Sequence, residues 1–386
     1  MKKLLCIVIV AVICSLCGCS SLTETPDFSD TEPVGPVFEY SWEPDGCREY
    51  SNEFVKASPT PRGVMLLKNG FEVYSPNTGT LTPVCGDPVC SHEAFGECPF
   101  SDYLRWLTTP VTDGEYLYYV HRNIVFKEHE VAVDRYSLVR TDLYGMGLKE
   151  LYGTKNAIDY IILSDGFIYF YEYADEEGAI LRRCDLASGE CTSPKINSDR
   201  GLICSAYIPV GGVVYYVYDG RLFKCDPGFT SSQLLADDYF FYDLYTDGRD
   251  IYSKSANGIM KTDVGTGKTV QVYASPQDHS MFGVRVSDSG LTFMLREDGE
   301  RPISGSMSYG ELVSSPSRRV LYQYLFASGT VGKYDLGDFV INNYVVYKGR
   351  LWAQTYEKSV GGSGASSGEW YTGELASFEP RQITGL

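Results

Sequence analysis

Histidine is scarce in this 386-residue chain: there are four, at positions 92, 121, 129 and 279, and none belongs to a His-Glu-x-x-His pair. That excludes the metalloprotease arrangement in which two histidines one helical turn apart hold zinc. No Walker loop and no dinucleotide fingerprint occur, so neither glycine-rich phosphate cradle is present. Positive charge is also in short supply, with 33 Lys and Arg against 50 Asp and Glu, a net −17. Nucleic acids and anionic headgroups are held by clustered Lys and Arg, and no nucleic-acid partner is expected for so acidic a chain. Beyond Ser20 no stretch of ten residues carries a clean 3.6-residue apolar period, which removes amphipathic helices from the reading. No loop has the EF-hand spacing. Gly364-Ala-Ser366-Ser-Gly368 formally matches the nucleophile-elbow pattern, but that motif needs a strand before it and a helix after it. Here it sits in VGGSGASSGEW, which reads as a flexible loop inside the last hairpin.

The N-terminus carries the compartment signal. Met1-Lys2-Lys3 is a short positive start, and Leu4 to Ile13 is an apolar run of signal-peptide length, too short to span a bilayer comfortably. Leu16-Cys17-Gly18-Cys19 then resembles the lipobox of bacterial lipoproteins. By that resemblance residues 1–18 are a lipoprotein signal peptide, and Cys19 becomes a diacylated or triacylated N-terminus held stably on a membrane. An ordinary secreted chain cleaved nearby is the alternative. Loss of Lys2 and Lys3 leaves 31 basic and 50 acidic residues, a net −19, so lipid must do the anchoring. Residues 19–38, rich in Ser, Thr, Pro and acids, form a disordered tether with a reach of about 25 Å.

The working part is residues 39–386. A motif of the form Asp/Gly-Gly-x-apolar-Tyr-aromatic recurs, as in Asp113-Gly114-Glu-Tyr-Leu-Tyr, Asp165-Gly166-Phe-Ile-Tyr-Phe and Gly211-Gly212-Val-Val-Tyr-Tyr. Variant copies at Arg62-Gly63, Asp247-Gly248, Ser289-Gly290 and Lys348-Gly349 make seven, about 48 residues apart, a spacing within the range of propeller blades. Each copy has a tight Gly-containing turn, Asp-Gly in three of them, then residues that favour pleated surface, and most continue into a second turn such as Asp142-Leu-Tyr-Gly145 or Asp263-Val-Gly-Thr-Gly267. One four-stranded sheet cannot bury its own faces, so the copies must stack. The expected fold is all-β, a β-propeller of about seven four-stranded blades, with six to eight allowed. The 31 tyrosines are expected to pack between blades rather than to form a carbohydrate platform, with a few at the channel mouth left for ligand.

Cysteine is the last signal. Cys85, Cys90, His92 and Cys98 fall in one short Cys/His-rich loop at 85–99 that leaves the first blade. Together they make a complete Cys3His ligand set for structural zinc, although spacings of four, one and five are not those of a common finger. Outside the membrane cysteines also oxidise, and eight remain in the mature chain besides Cys19, so disulfides are an equally open reading, with a reactive thiol as a third. Cys184 and Cys191 flank a six-residue hairpin loop and form a candidate cross-strand bridge. Cys204 and Cys225 read as first-strand and third-strand residues of one blade, not neighbours.

Lipobox, acidic tether, Asp-Gly-x-Ile-Tyr-Phe repeats and the segment Cys-x-Asp-Pro-x-Cys-x-His together resemble the TolB-like propeller lipoproteins of clostridia-type Gram-positive bacteria. The resemblance spans Cys19 to the C-terminus and implies a cell-surface propeller of poorly characterised role. It supplies no catalytic residue. Two functions follow as expectations. One is a membrane-anchored extracytoplasmic module that binds or scaffolds a protein or glycan, using the channel face or the Gly/Ser-rich stretches 302–317 and 359–369. The other is a propeller enzyme, a glycan hydrolase or lyase, that uses carboxylates at the channel mouth.

Overall fold

The Asp-Gly repeats become two-residue hairpins in the computed structural model. Asp165 and Gly166 both have positive φ (52° and 79°), as do Gly211 with Gly212 and Lys348 with Gly349, the conformation that matches the right-handed twist of the flanking strands. Where the turn is longer, the aspartate holds it. Asp113 Oδ1 accepts from the main-chain N–H groups of Glu115 (2.9 Å) and Tyr116 (2.8 Å), while Oδ2 accepts from the Tyr118 hydroxyl at 2.7 Å. Asp247 repeats this with Arg249, Asp250 and the Tyr252 hydroxyl. One side chain thus fixes the turn and ties it to a buried tyrosine five residues on.

The structure describes residues 40–384, apart from 44–47, 51–55, 68–69, 91–97, 99, 101–108, 128–129, 175–177, 194–195, 197–200, 227–229, 238–240, 242, 256, 298–314 and 359–364. Seven antiparallel sheets follow one another along the chain, each with its main strands in sequential order. Blade 1 covers 57–83, blade 2 111–154, blade 3 157–192, blade 4 206–236, blade 5 244–274, blade 6 279–335 and blade 7 341–382. Among the described residues there is no α-helix, only two short 3-10 turns. None is long and apolar enough to cross a membrane. Ala365–Glu374, expected partly as a flexible loop, is instead a strand paired with Arg350–Lys358, with Glu357 opposite Ser366. The partner edge supplies a hydrogen-bond ladder that outweighs the weak strand preference of Ser and Gly.

The core lies between the blades. Tyr169 and Tyr171 of blade 3 share an apolar cluster with Tyr207 and Tyr215 of blade 4 and Leu244 of blade 5, and Tyr252 of blade 5 packs with Phe293 and Tyr324 of blade 6. Burying each such aromatic contributes about 2–3 kcal/mol, so the ring of blades is held mainly by these seams. Neighbouring turns are also stitched together: Gly212 N–H donates to Asp165 Oδ2 at 2.9 Å, and Lys348 N–H to Asp288 Oδ1 at 3.4 Å. Because strands alternate in direction, all first-to-second-strand turns lie at one face, called here the turn face.

Candidate functional site

The axis of the ring holds a piece of the chain itself. Arg48–Tyr50 is a short strand that pairs antiparallel with Leu244–Thr246, the first strand of blade 5, with Arg48 opposite Thr246 and Tyr50 opposite Leu244. It also lies against the first strands of blades 3, 4 and 6. Arg48 Nε donates to the main-chain oxygen of Leu163 in blade 3 at 2.6 Å. Glu49 Oε2 accepts from Val286 N–H in blade 6 at 2.9 Å.

The residues just before this strand cross the turn face. The Tyr40 hydroxyl reaches the main-chain oxygens of Thr60 (2.6 Å) and Gly63 (3.1 Å) in blade 1. Lys348 Nζ of blade 7 donates to Ser41 Oγ at 2.7 Å, and Glu43 N–H donates to the Tyr347 hydroxyl at 3.2 Å. The Trp42 ring covers Gly114 of blade 2, where an added β-carbon would lie 2.7 Å from the ring. Residues 40–43 and 48–50 between them therefore touch every blade. Blade 7 is built wholly from the C-terminal end of the chain and blade 1 wholly from the N-terminal end, so no shared sheet closes the ring. This clasp, with the bond from Trp370 Nε1 to Leu67 oxygen at 3.0 Å, joins the two ends.

At the opposite face, where first strands begin, blades 3 to 5 bring Asp159, Tyr160 and Asp243 near one another. Tyr160 has φ of 54°, a conformation rare for an aromatic residue, and its main-chain oxygen accepts from the Tyr207 hydroxyl. Burial raises the Asp159 carboxyl above its usual range, opposed by the Tyr160 N–H bond at 2.8 Å and by Arg122. Asp243, 5% exposed, is neutralised by Lys254 Nζ at 3.1 Å. A carboxyl held above its ordinary range can carry a proton, whereas an ion-paired one holds structure.

The cysteines fall into three groups. The Sγ atoms of Cys85, Cys90 and Cys98 lie within 4.8 Å of one another. Cys85 and Cys98 are buried and Cys90 is half-buried, against Met65 and Phe71 of blade 1, Val84 just after it and Tyr119 of blade 2. The described ends of the loop are tied to blades 1 and 2 and to themselves: Gly86 N–H donates to Tyr144 oxygen (2.8 Å), Phe71 N–H to Phe100 oxygen (3.0 Å) and Cys90 N–H to Asp87 oxygen (3.2 Å). Burial pushes the Cys98 thiol up to about 12 and raises Cys85 as well. A tetrahedral zinc with Zn–S bonds of about 2.3 Å would set its sulfurs about 3.8 Å apart, so the three thiols fit such an ion. His92, the expected fourth ligand, lies outside the described residues, as do Cys19 and Cys47.

Cys184 and Cys191 are cross-strand partners in blade 3, joined by a disulfide with 4.0 Å between their Cα atoms. Cys204 and Cys225 are both buried. Cys204 lies two residues before the first strand of blade 4, Ala206–Val210, rather than on it, and shares a 3.2 Å contact with the Tyr171 hydroxyl of blade 3. The 40–50 clasp was not visible in the sequence, because Arg48-Glu-Tyr50 carries neither a repeat nor an apolar alternation.

No family model matches the sequence, and no curated protein matches it. Among solved structures, TolB from Acinetobacter baumannii is similar at 14% identity, over 83% of this chain and 76% of that one, with a TM-score of 0.40. An oligogalacturonate lyase in complex with manganese is similar at 12% identity, over 70% and 74%, with a TM-score of 0.43. The oligogalacturonate lyase of Vibrio parahaemolyticus gives 9% identity, the same coverage and a TM-score of 0.44. Similarity at this level bears on neither activity nor ligand.

Proposed function

We propose that this protein is a TolB-like propeller lipoprotein of the clostridial kind, anchored through Cys19 on the extracytoplasmic face of the cell membrane, that binds or scaffolds a protein or glycan. The observation that carries the reading is the strand Arg48–Tyr50 on the propeller axis. An axis occupied by the chain's own strand leaves less room for substrate there, and favours a ligand held on the outer surface. Tyr40, the first described residue, bonds to blade 1 at the turn face. In this reading zinc is held by Cys85, Cys90, Cys98 and His92 and staples the loop between blades 1 and 2.

The enzyme alternative retains one supporting observation, the raised carboxyl of Asp159 near the axis. Catalysis of the hydrolase or lyase type would use it as the proton carrier.

The test is carried out on intact cells. Mass spectrometry of the mature N-terminal peptide should find acylated Cys19, and Cys19→Ala should release the protein to the medium. Chemical crosslinking followed by affinity capture should then recover a partner with the anchored protein and not with the released one. An unacylated Cys19 overturns the anchor. Glycan cleavage by the purified chain that is abolished in Asp159→Asn overturns the binding reading in favour of the enzyme.

A further inference from the structure

The three described thiols of the loop between blades 1 and 2 are not equivalent. Cys85 and Cys98 are buried in the cluster that holds Met65, Phe71, Leu117 and Tyr119, whereas Cys90 is only half-buried and packs at its edge. The local sequence sets this difference. Asp87-Pro88-Val89-Cys90 makes a tight turn, with the Cys90 N–H donating to the Asp87 main-chain oxygen at 3.2 Å and the Val89 N–H to Asp87 Oδ1 at 3.0 Å. Aspartate suits the first position of such a turn and proline the second. The turn carries Pro88 and Val89 into solvent, Val89 with 89% of its surface exposed, and Cys90 is the next residue along.

The sulfurs are close enough to react with one another. The three Sγ atoms lie within 4.8 Å of one another, and a disulfide needs about 2.05 Å, so an approach of less than about 3 Å joins any two. Cysteine is oxidised as the thiolate and where solvent reaches it. A thiol that holds a metal ion is deprotonated. As a ligand of the loop's zinc, Cys90 meets both conditions, while Cys85 and Cys98 meet only the first. The remaining described free thiols meet neither: Cys204 and Cys225 are buried within the blades, and Cys204 contacts the Tyr171 hydroxyl at 3.2 Å.

We propose that Cys90 is an oxidation site through which hydrogen peroxide opens the cysteine cluster and releases its zinc. The inference rests on the zinc reading of this loop and adds a regulator to it. The Cys90 sulfur attacks one oxygen of the peroxide, the O–O bond breaks, hydroxide leaves, and Cys90 becomes a sulfenic acid. The sulfur of Cys85 or Cys98 then attacks the Cys90 sulfur, an S–S bond forms, and a second hydroxide leaves. The two thiolates together give up two electrons, which reduce the peroxide to two hydroxides, and two protons from solvent convert these to water. The cluster has then lost two of its ligands, too many to keep a tetrahedral ion. Gly86 is bonded to the Tyr144 oxygen of blade 2, and Phe100 to the Phe71 N–H of blade 1, so a change in the loop reaches the rim of both blades.

The test uses the purified full chain in detergent, with its zinc content fixed first by elemental mass spectrometry. Hydrogen peroxide is added in rising amounts. Freed zinc is read with a chromogenic chelator, thiols by differential alkylation and peptide mapping, and the sulfenic acid by trapping with dimedone. Dimedone should label Cys90 before any other cysteine. Each zinc released should accompany the loss of two thiols of this loop, Cys204 and Cys225 should stay reduced, and dithiothreitol with added zinc should restore the starting state. Cys90→Ser should slow oxidation of the loop about tenfold or more, with near-ultraviolet circular dichroism reporting whether it folds. The dimedone result on the native chain stands apart from that variant. First labelling of Cys85 or Cys98, or loss of loop thiols with zinc retained, overturns the proposal and leaves the zinc staple standing. Loop thiols that oxidise no faster than Cys204 overturn it as well. A chain that carries no zinc overturns the zinc reading and this inference with it.

Discussion

Arg48 and Leu163 are 115 residues apart in the chain, yet the Arg48 Nε donates to the Leu163 main-chain oxygen across 2.6 Å. The bond joins the strand on the axis to the first strand of blade 3. With Glu49 bonded to Val286 on the other side and Tyr40 bonded to blade 1, it makes the N-terminal stretch the common partner of the whole ring. Propellers must close a circle, and here closure falls to residues outside the repeat. The following outcomes are expected.

Asp113→Ala and Asp247→Ala should each destabilise the propeller by about 1–3 kcal/mol, because each removes acceptors from two main-chain N–H groups and a tyrosine hydroxyl. Asn at either position keeps an acceptor and should cost less. Urea unfolding with matched slopes checks the order Ala worse than Asn.

Glu172 should give the acid limb of stability. Burial alone would raise its carboxyl, but bonds from Thr154, Asn156 and Tyr152 and the ion pair with Arg182 at 2.7 Å outweigh this and hold it below the usual range. A lowered folded value means that stability is present above the unfolded value of about 4.5 and is lost as pH falls through the folded one. Melting temperature between pH 3 and pH 6 should fall more steeply for the native chain than for Glu172→Gln, which should be less stable near neutrality.

Cys184→Ser should remove a crosslink closing a short hairpin, a loss of about 2 kcal/mol or a little more in the chain-entropy view. Reductant should lower the melting temperature of the native chain towards that of the variant, and leave the variant itself unchanged. An equal response of both to reductant would place the sensitive disulfide elsewhere.

Zinc should copurify at one ion per chain, measured by elemental mass spectrometry. Strong chelation, Cys85→Ser and His92→Ala should each lower the melting temperature, since removing a structural ion releases buried thiols that packing alone must then hold. A metal-free chain with the same melting temperature would favour the disulfide reading of this loop.

Much of this architecture was legible because it repeats. Asp113 and Asp247, with a tyrosine five positions later, advertise both the turn and the buried hydroxyl, and seven Gly-centred turns mark seven blades. Cys184 and Cys191 lie opposite each other because the hairpin between them is short and regular. What did not repeat was hidden. The strand irregularities between Phe282 and Arg285 and between Ile341 and Asn343 are announced by no pattern of alternation. The axis strand is equally silent, since the Arg48 and Glu49 side chains find their partners in blades 3 and 6 only once the ring has closed around them.

The occupied axis is tested most directly by amide hydrogen exchange of the full chain, read by mass spectrometry in peptides covering Arg48–Tyr50. Pairing with Leu244–Thr246 predicts that these amides exchange as slowly as those of the blade strand they join, and that Arg48→Ala speeds exchange there first. Exchange at the rate of an unstructured peptide would mean that the axis is open and that the clasp does not close the ring.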